Sequence, residues 1–213
     1  MTYSVREMYY TLQGEGAHTG RPAVFLRFAG CNLWSGREAD RAGAVCKFCD
    51  TEFVGVGGPG GGKFESAAEL AAAATSHWPK CSRDGRYVVC TGGEPLLQLD
   101  KAAIDALHEA GFEIGVESNG TIEAPPGIDW LCISPKANAS LAQQSGNELK
   151  LVYPQREPEA QPEEFAALEF EHFFLQPLHD ENIAANTQSA IEYCLRNPRW
   201  KLSVQTHKVI GID

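Results

Sequence analysis

Positive charge is scarce in this 213-residue chain: 18 Lys and Arg stand against 28 Asp and Glu, a net charge of −10 at neutral pH. A phosphate backbone is bound by clustered Lys and Arg. The balance therefore argues against nucleic acid as a partner, while leaving room for a local basic site. Long apolar runs are also missing, so no segment is expected to span a bilayer. The opening "MTYSVREMYYTLQGEG" has no apolar stretch of the signal-peptide kind. With seven cysteines in the chain, this leads us to expect a reducing, cytoplasmic setting. There, cysteine spacings point to metal or catalysis before disulfides. Internal repeats and dividing linkers are absent too, so one domain over 1–213 is expected, with 154–164 as a surface connection. What is present suffices for a sizeable core: 43% of residues are hydrophobic and 22% charged, ordinary for a folded chain of this length.

Periodicity supplies the elements. "AVFLRFAG" (23–30) reads as a buried strand, and 87–90, 112–118, 130–135, 148–153, 172–177 and 201–206 as further strands. Residues 66–78 read as a helix, with Ser66 as N-cap and Glu69 three residues on in a capping-box pattern. "LDKAAIDALHEAG" (99–111) is an amphipathic helix ending at glycine, and 162–169 and 186–197 are expected to be helical. Alternating strands and helices argue for an α/β fold with a mostly parallel sheet. The units are too few for a closed eight-fold barrel, so a partial, open (β/α) barrel is expected.

Unusual residues follow the strands: "GCN", "CTGGEP", "ESNGT", "ISPK" and "LQP", each at a strand's C-terminal end. In a barrel-like α/β fold those ends share one face, and that face carries the site. The most unusual of these stretches is "CNLWSGREADRAGAVCKFCDT" (31–51). Cys46 and Cys49 form a Cys-x-x-Cys pair, and fourteen residues separate Cys46 from Cys31. Residues 32–45 read as an inserted surface loop, and 55–62 as a glycine-rich one. Three thiolates are one too few for a closed structural zinc site, although Cys81 could be recruited as a fourth ligand. They equally suit an iron–sulfur cluster with one metal position left open, and spacing alone does not separate the two. The glycine-rich "GGPGGGKF" (57–64) nearly matches a phosphate-binding loop. It places Phe64 where that motif needs a hydroxyl, so an ordinary loop is expected.

The set "GCN…CKFCDT" and "TGGEP" resembles the radical S-adenosylmethionine (SAM) superfamily, whose usual spacing is Cys-x3-Cys-x2-Cys. This chain departs from that spacing. The ordered series "TLQGEG", "FLRFAGCN", "CDT", "TGGEP", "ESNGT", "ISPK", "LQP" and "QTHKVIGID" is similar, over nearly the whole chain, to the 7-carboxy-7-deazaguanine synthases, some of which have an enlarged loop between the first two cysteines. The resemblance implies ring contraction of 6-carboxy-5,6,7,8-tetrahydropterin to 7-carboxy-7-deazaguanine with loss of ammonia, in queuosine-type deazapurine biosynthesis. It implies a [4Fe–4S] cluster that reduces SAM to give a 5′-deoxyadenosyl radical. That radical takes the C6 hydrogen of the substrate and recovers it at the end, so SAM is regenerated. It further implies Mg²⁺, an electron donor such as flavodoxin, and a homodimer. Two other readings remain open: a glycyl-radical-activating enzyme, and a zinc-binding module without catalysis.

Carried over residue by residue, the resemblance makes Cys31, Cys46 and Cys49 the cluster ligands and Thr51 the protein ligand of Mg²⁺. It places Phe48, Cys49 and Asp50 beside the adenine. Gly92 and Gly93 stand at the SAM amino-acid moiety, with Glu94 facing its ammonium. Ser134, Lys136, Asn138 and Gln176 fall at its ribose and carboxylate. On the substrate side it places Leu12, Gln13, Gly14 and Glu15 at the pterin edge, Arg27 at the substrate carboxylate, and Thr91, Glu117 and Asp213 nearby. Some positions have a plainer reading. Arg27 within an apolar strand is either a site residue or half of a buried salt bridge. Glu117 and Asn119 either line the site or cap a strand end. Cys90 and Cys132 read as small buried hydrophobes, Cys81 and Cys194 as free thiols, and His207 is the one histidine near a site motif.

Overall fold

The computed structural model describes residues 1–80, 82 and 84–212; Cys81 and Asp213 fall outside them. Nine strands form one sheet: β1 (Tyr3–Leu12), β2 (Pro22–Phe28), β3 (Gly62–Phe64), β4 (Tyr87–Gly92), β5 (Glu113–Ser118), β6 (Trp130–Ile133), β7 (Ser145–Tyr153), β8 (Glu169–Pro177) and β9 (Trp200–Leu202). Their order is β3-β1-β2-β4-β5-β6-β7-β8-β9. β1 is antiparallel to both its neighbours, and every pair from β2 to β9 is parallel. The sheet is open and mostly parallel.

Side chains alternate across each strand, and here the two faces differ in chemistry. Leu26, Val88, Cys90, Ile114, Leu149 and Leu151 point to one side and form the main apolar core with the helices α1 (Ala67–His77) and α2 (Lys101–Glu109). Arg27, Thr91, Glu117, Glu148 and Lys150 occupy the alternate positions and turn to the concave side. Near the strands' N-terminal ends that concave side is plugged by aromatic rings. His18 lies 4.2 Å from Trp130 and 5.2 Å from Tyr87, and Trp130 stacks on His172. The C-terminal ends stay open.

Local signals account for the helix starts. Ser66 caps α1 by accepting from the Glu69 amide, while the Glu69 carboxylate accepts from the amide of Glu65 rather than of Ser66. Asp100 caps α2 through the Ala103 amide and also accepts from the Tyr3 hydroxyl at 2.7 Å, tying β1 to that helix. Several expected boundaries shift. The helix expected at 162–169 is the single turn α3 (Pro162–Phe165), and the one at 186–197 is α4 (Ile183–Arg196). The strand expected over 201–206 ends at Leu202, and Thr206 opens the short helix α5 (Thr206–Ile210). Gly62 belongs to β3 and not to the glycine-rich loop. That loop is fixed on β1, with the Met8 amide donating to Pro59 and the Gly58 amide to Arg6.

Candidate active site

A cavity of about 450 Å³ opens at the C-terminal ends of the parallel strands. It brings together most of the residues singled out from the sequence. Leu12, Gln13, Gly14, Glu15, Arg27, Thr91 and Glu117 line it, as do Cys46, Phe48, Cys49, Asp50, Thr51, Gly92, Gly93, Ser134, Lys136 and Gln176. Cys31, Glu94 and Asn138 lie outside the lining, and Asp213 falls outside the described residues. No group of three or more His, Cys, Asp or Glu among the described residues is gathered closely enough for a single metal ion.

The fourteen-residue interval before Cys46 is a closed excursion. The amides of Val45 and Cys46 both donate to the Leu33 carbonyl, at 3.1 and 3.4 Å, so the chain returns beside its starting point. Cys31 and Cys46 are thereby brought into one region despite their separation in sequence. Asn119 at the end of β5 donates to Asn32, and Asn32 to Thr121, anchoring the start of the loop. The three thiols are free. Cys46 and Cys49 are close enough to compete for one proton, which holds Cys49 down to about 6 against its burial and pushes Cys46 up. Burial also raises Cys31. Lys136, anchored on the Ser134 carbonyl and hydroxyl, adds positive charge near the Cys46–Cys49 pair and sits 5.9 Å from the Phe48 ring.

The floor of the cavity is a buried array of charges. Lys150, on the concave face of β7, donates to Glu15 at 2.5 Å and lies 3.4 Å from Glu117. The other Glu15 oxygen accepts from Gln205, and Glu117 accepts from Gln13. Burial works to raise Glu15, but Lys150 and Gln205 outweigh it and hold the carboxyl down to about 2. Burial likewise works to lower Lys150, and the facing Glu117 and Glu15 carboxylates push it well above its ordinary value. The Gln13 amide is bonded at both ends, to Glu117 and to the Glu15 amide. Arg27 sits higher on the wall, its Nε on Glu7 at 2.8 Å and one Nη on the Tyr9 hydroxyl. Arg27 is thus ion-paired and also lines the cavity.

The sequence reading missed Lys150, Gln205, Glu7, Tyr9 and Lys208, all of which line the cavity. Lys150 carried the same signal as Arg27, a lone cation between apolar residues. His207 also lines the cavity, packed so closely on Gly14 that a Cβ there would run into its ring. Lys208 pairs with Asp50 at 2.6 Å and the Thr206 amide donates to the Gly14 carbonyl, so α5 bridges the Leu12–Glu15 segment and the cysteine turn.

Two glycines have a physical reason of their own. A Cβ on Gly92 or Gly93 would collide with the carbonyl of Phe28 or Gly30 respectively, and Gly92 adopts a φ of 141°. Close approach of β4 to the end of β2 therefore requires both glycines. Glu94 is fully buried and accepts from the Leu96 amide, the Ser118 hydroxyl and the Asn119 amide at 2.8–3.0 Å.

No protein-family model matches the chain. It is 62% identical over 212 residues to the 7-carboxy-7-deazaguanine synthase of Caulobacter vibrioides and 60% to that of Bordetella pertussis, with the whole of each chain covered. It resembles the crystal structure of QueE from Escherichia coli with a TM-score of 0.71 and 29% identity, over 97% of this chain and 95% of that one.

Proposed function

We infer the working of this site from one premise: the chain belongs to the 7-carboxy-7-deazaguanine synthase family. It is a lyase that contracts 6-carboxy-5,6,7,8-tetrahydropterin to 7-carboxy-7-deazaguanine, with release of ammonia, in the queuosine-type pathway. One observation carries the assignment of roles. A single cavity has a turn of soft thiol donors at its rim and a buried array of Glu15, Glu117, Lys150 and Arg27 at its floor and wall.

The donor set fits a [4Fe–4S] cluster. Cys31, Cys46 and Cys49 are free, two of them face the cavity, and the other described cysteines (Cys90, Cys132 and Cys194) lie in strands or a helix. Bound there with SAM, the cluster supplies hydrogen-atom abstraction and return at substrate C6. The protein supplies orientation and exclusion of side reactions. Ser134, Lys136, Phe48 and the Gly92–Gly93 backbone form the wall on the cofactor side. Arg27 is held by Glu7 and Tyr9 so that the rest of its planar fork meets the substrate carboxylate. Glu15, held ionised by Lys150, and Glu117 beside it accept hydrogen bonds from the ring amide and amino groups. Thr51 would offer one hard oxygen to Mg²⁺, which suits an ion that keeps most of its other ligands as water and substrate oxygens. His207 and Lys208 on α5 complete the lining on the side of Gly14 and Asp50.

Family membership supports the rest of this reading: one domain over the whole chain, an external electron donor of the flavodoxin kind, and a homodimer. No described helix is long and apolar enough to cross a membrane, and a cytoplasmic location belongs to the same proposal.

The test is anaerobic. The protein is reconstituted with iron and sulfide, reduced, given SAM, Mg²⁺ and the tetrahydropterin, and assayed for 7-carboxy-7-deazaguanine by mass. Product is expected. A cluster that cleaves SAM without forming product would sink the substrate assignment, and zinc bound in place of iron would sink the cofactor. Within the same assay, Arg27→Ala is expected to raise the substrate KM at least ~30-fold, the ~2 kcal/mol typical of a lost charge-assisted pair. Its iron content and SAM affinity should be unchanged. Loss of iron in that variant would make Arg27 a structural residue only.

A further inference from the structure

The inserted segment between the first two cysteines carries a feature that the site's chemistry leaves unused. Residues 47–51, which contain the Cys-x-x-Cys pair's second half, make no backbone–backbone hydrogen bond among the described residues. A turn that presents thiols yet has no internal ladder must be held from outside. Arg41, in the 3-10 helix Glu38–Gly43 of the insertion, reaches it directly. Its Nη1 donates to the carbonyls of Lys47 at 2.9 Å and Cys49 at 3.1 Å. These are the only hydrogen bonds that either carbonyl receives from a described residue.

Arg41 is itself fixed on two further sides. Its Nε donates to both oxygens of Glu38, at 2.9 and 2.8 Å. Its guanidinium lies 4.0 Å from the centroid of the Trp34 ring, a cation–π distance. Trp34 is buried edge-on against Phe53, which is 1% exposed and accepts from the Gly30 amide just before the first cysteine. The guanidinium thus links the end of β2, the insertion and the Cys46–Cys49 turn through one rigid, multidentate group.

We propose that Arg41 is a positioning residue for the thiol turn, and that the insertion serves as a splint which shapes Cys46 and Cys49 before any metal arrives. The proposal rests on reading the three cysteines as cluster ligands, but its central measurement does not need the cluster. A lysine cannot replace this arrangement. One ammonium on a flexible stem cannot stack on Trp34, pair with Glu38 and fork to two carbonyls together.

The experiment compares the wild type, Arg41→Ala and Arg41→Lys as cluster-free, reduced chains. The rates at which Cys46 and Cys49 react with a maleimide are resolved by peptide mass. At least a five-fold faster reaction is expected for Arg41→Ala. Arg41→Lys should recover less than half of the difference, and Cys194 should react at an unchanged rate in all three. After reconstitution, Arg41→Ala should retain less than half the wild-type iron while its loaded fraction keeps the wild-type substrate KM. Wild-type labelling rates at Cys46 and Cys49 in Arg41→Ala would overturn the proposal. So would a rate increase shared equally by Cys194, which would mean general loosening of the fold. If the wild type itself takes up no iron, the cluster reading fails, and the labelling comparison still decides whether Arg41 shapes the turn.

Discussion

Lys150→Met is expected to raise the substrate KM by ~100-fold or more and to move the acid limb of the activity profile toward neutral pH. Lys150 is the buried cation between two partly buried carboxylates, 2.5 Å from Glu15 and 3.4 Å from Glu117. Methionine keeps the side-chain volume and removes the charge, leaving two acids close together without a counter-ion. Breaking a buried pair in this way costs about 3–5 kcal/mol, and the acids can lower that cost by sharing a proton. A protonated carboxyl then presents a donor where the proposed substrate contact needs an acceptor.

The pH dependence of stability has a definite sign. Burial works to raise Glu15, yet Lys150 and Gln205 hold it at about 2, below its ordinary 4.5. A depressed acid stabilises the fold above its unfolded value, here by about 3 kcal/mol, and that contribution is lost as pH falls from 4.5 toward 2. Lys150 is shifted the other way, so its contribution is present below its ordinary value of 10.5 and is lost only when the pH rises through the raised one. Urea titrations of the cluster-free wild type should therefore show stability falling between pH 4.5 and 2, with that part of the slope missing in Lys150→Met. An unchanged KM together with an unchanged acid slope would show that the cavity floor does not depend on this charge.

Lys150 also shows where the sequence could be read and where it could not. "ELKLVY" alternates apolar and charged residues, as a half-exposed strand does. Alternation separates two faces but does not say which of them meets water. Only the curvature that turns the face of Glu148 and Lys150 inward makes it the floor of a site. Arg27 was recognised because its neighbours Leu26 and Phe28 made a wholly buried strand plausible. The strand-end motifs were legible for a related reason: a parallel sheet brings its C-terminal ends to one side whatever the details of its curvature.

The N-terminal strand was not legible, and a bulge explains why. In β1 the register shifts between Val5 and Glu7, so the buried positions run Tyr3, Val5 and then Met8, and the two-residue period is broken. The helix α5 spans only five residues, too few to show a helical period. It is placed by the Thr206 amide on the Gly14 carbonyl, a contact across almost the whole chain. The insertion's length suggested a bulge, but its closure on the Leu33 carbonyl has no signature in spacing.

Glu94 gives the second large expected effect, and it separates a role toward SAM from a role in holding two strand ends together. The resemblance points to a partner for the SAM ammonium; the structure places Glu94 at 0% exposure, joining the end of β4 to the end of β5. One oxygen accepts from Leu96 N and Ser118 Oγ, the other from Asn119 N at 2.8 Å. Glu94→Ala removes all three acceptances at once, and buried donors left unpaired cost about 1–3 kcal/mol each. A loss of about 3–5 kcal/mol is therefore expected in urea unfolding of the cluster-free chain. Glu94→Gln can keep its oxygen toward Leu96 and Ser118 but then turns an NH2 group toward the Asn119 amide, a donor against a donor. Its expected loss is smaller, about 1–2 kcal/mol. Asn119 is also the residue that holds Asn32 beside Cys31, so both variants should lose iron in step with their stability. If Glu94→Gln keeps wild-type stability and iron but no longer binds SAM, the carboxylate acts on the cofactor. If stability and iron fall together in the order Gln then Ala, Glu94 acts by holding two strand ends, and through Asn119 the first cysteine, in place.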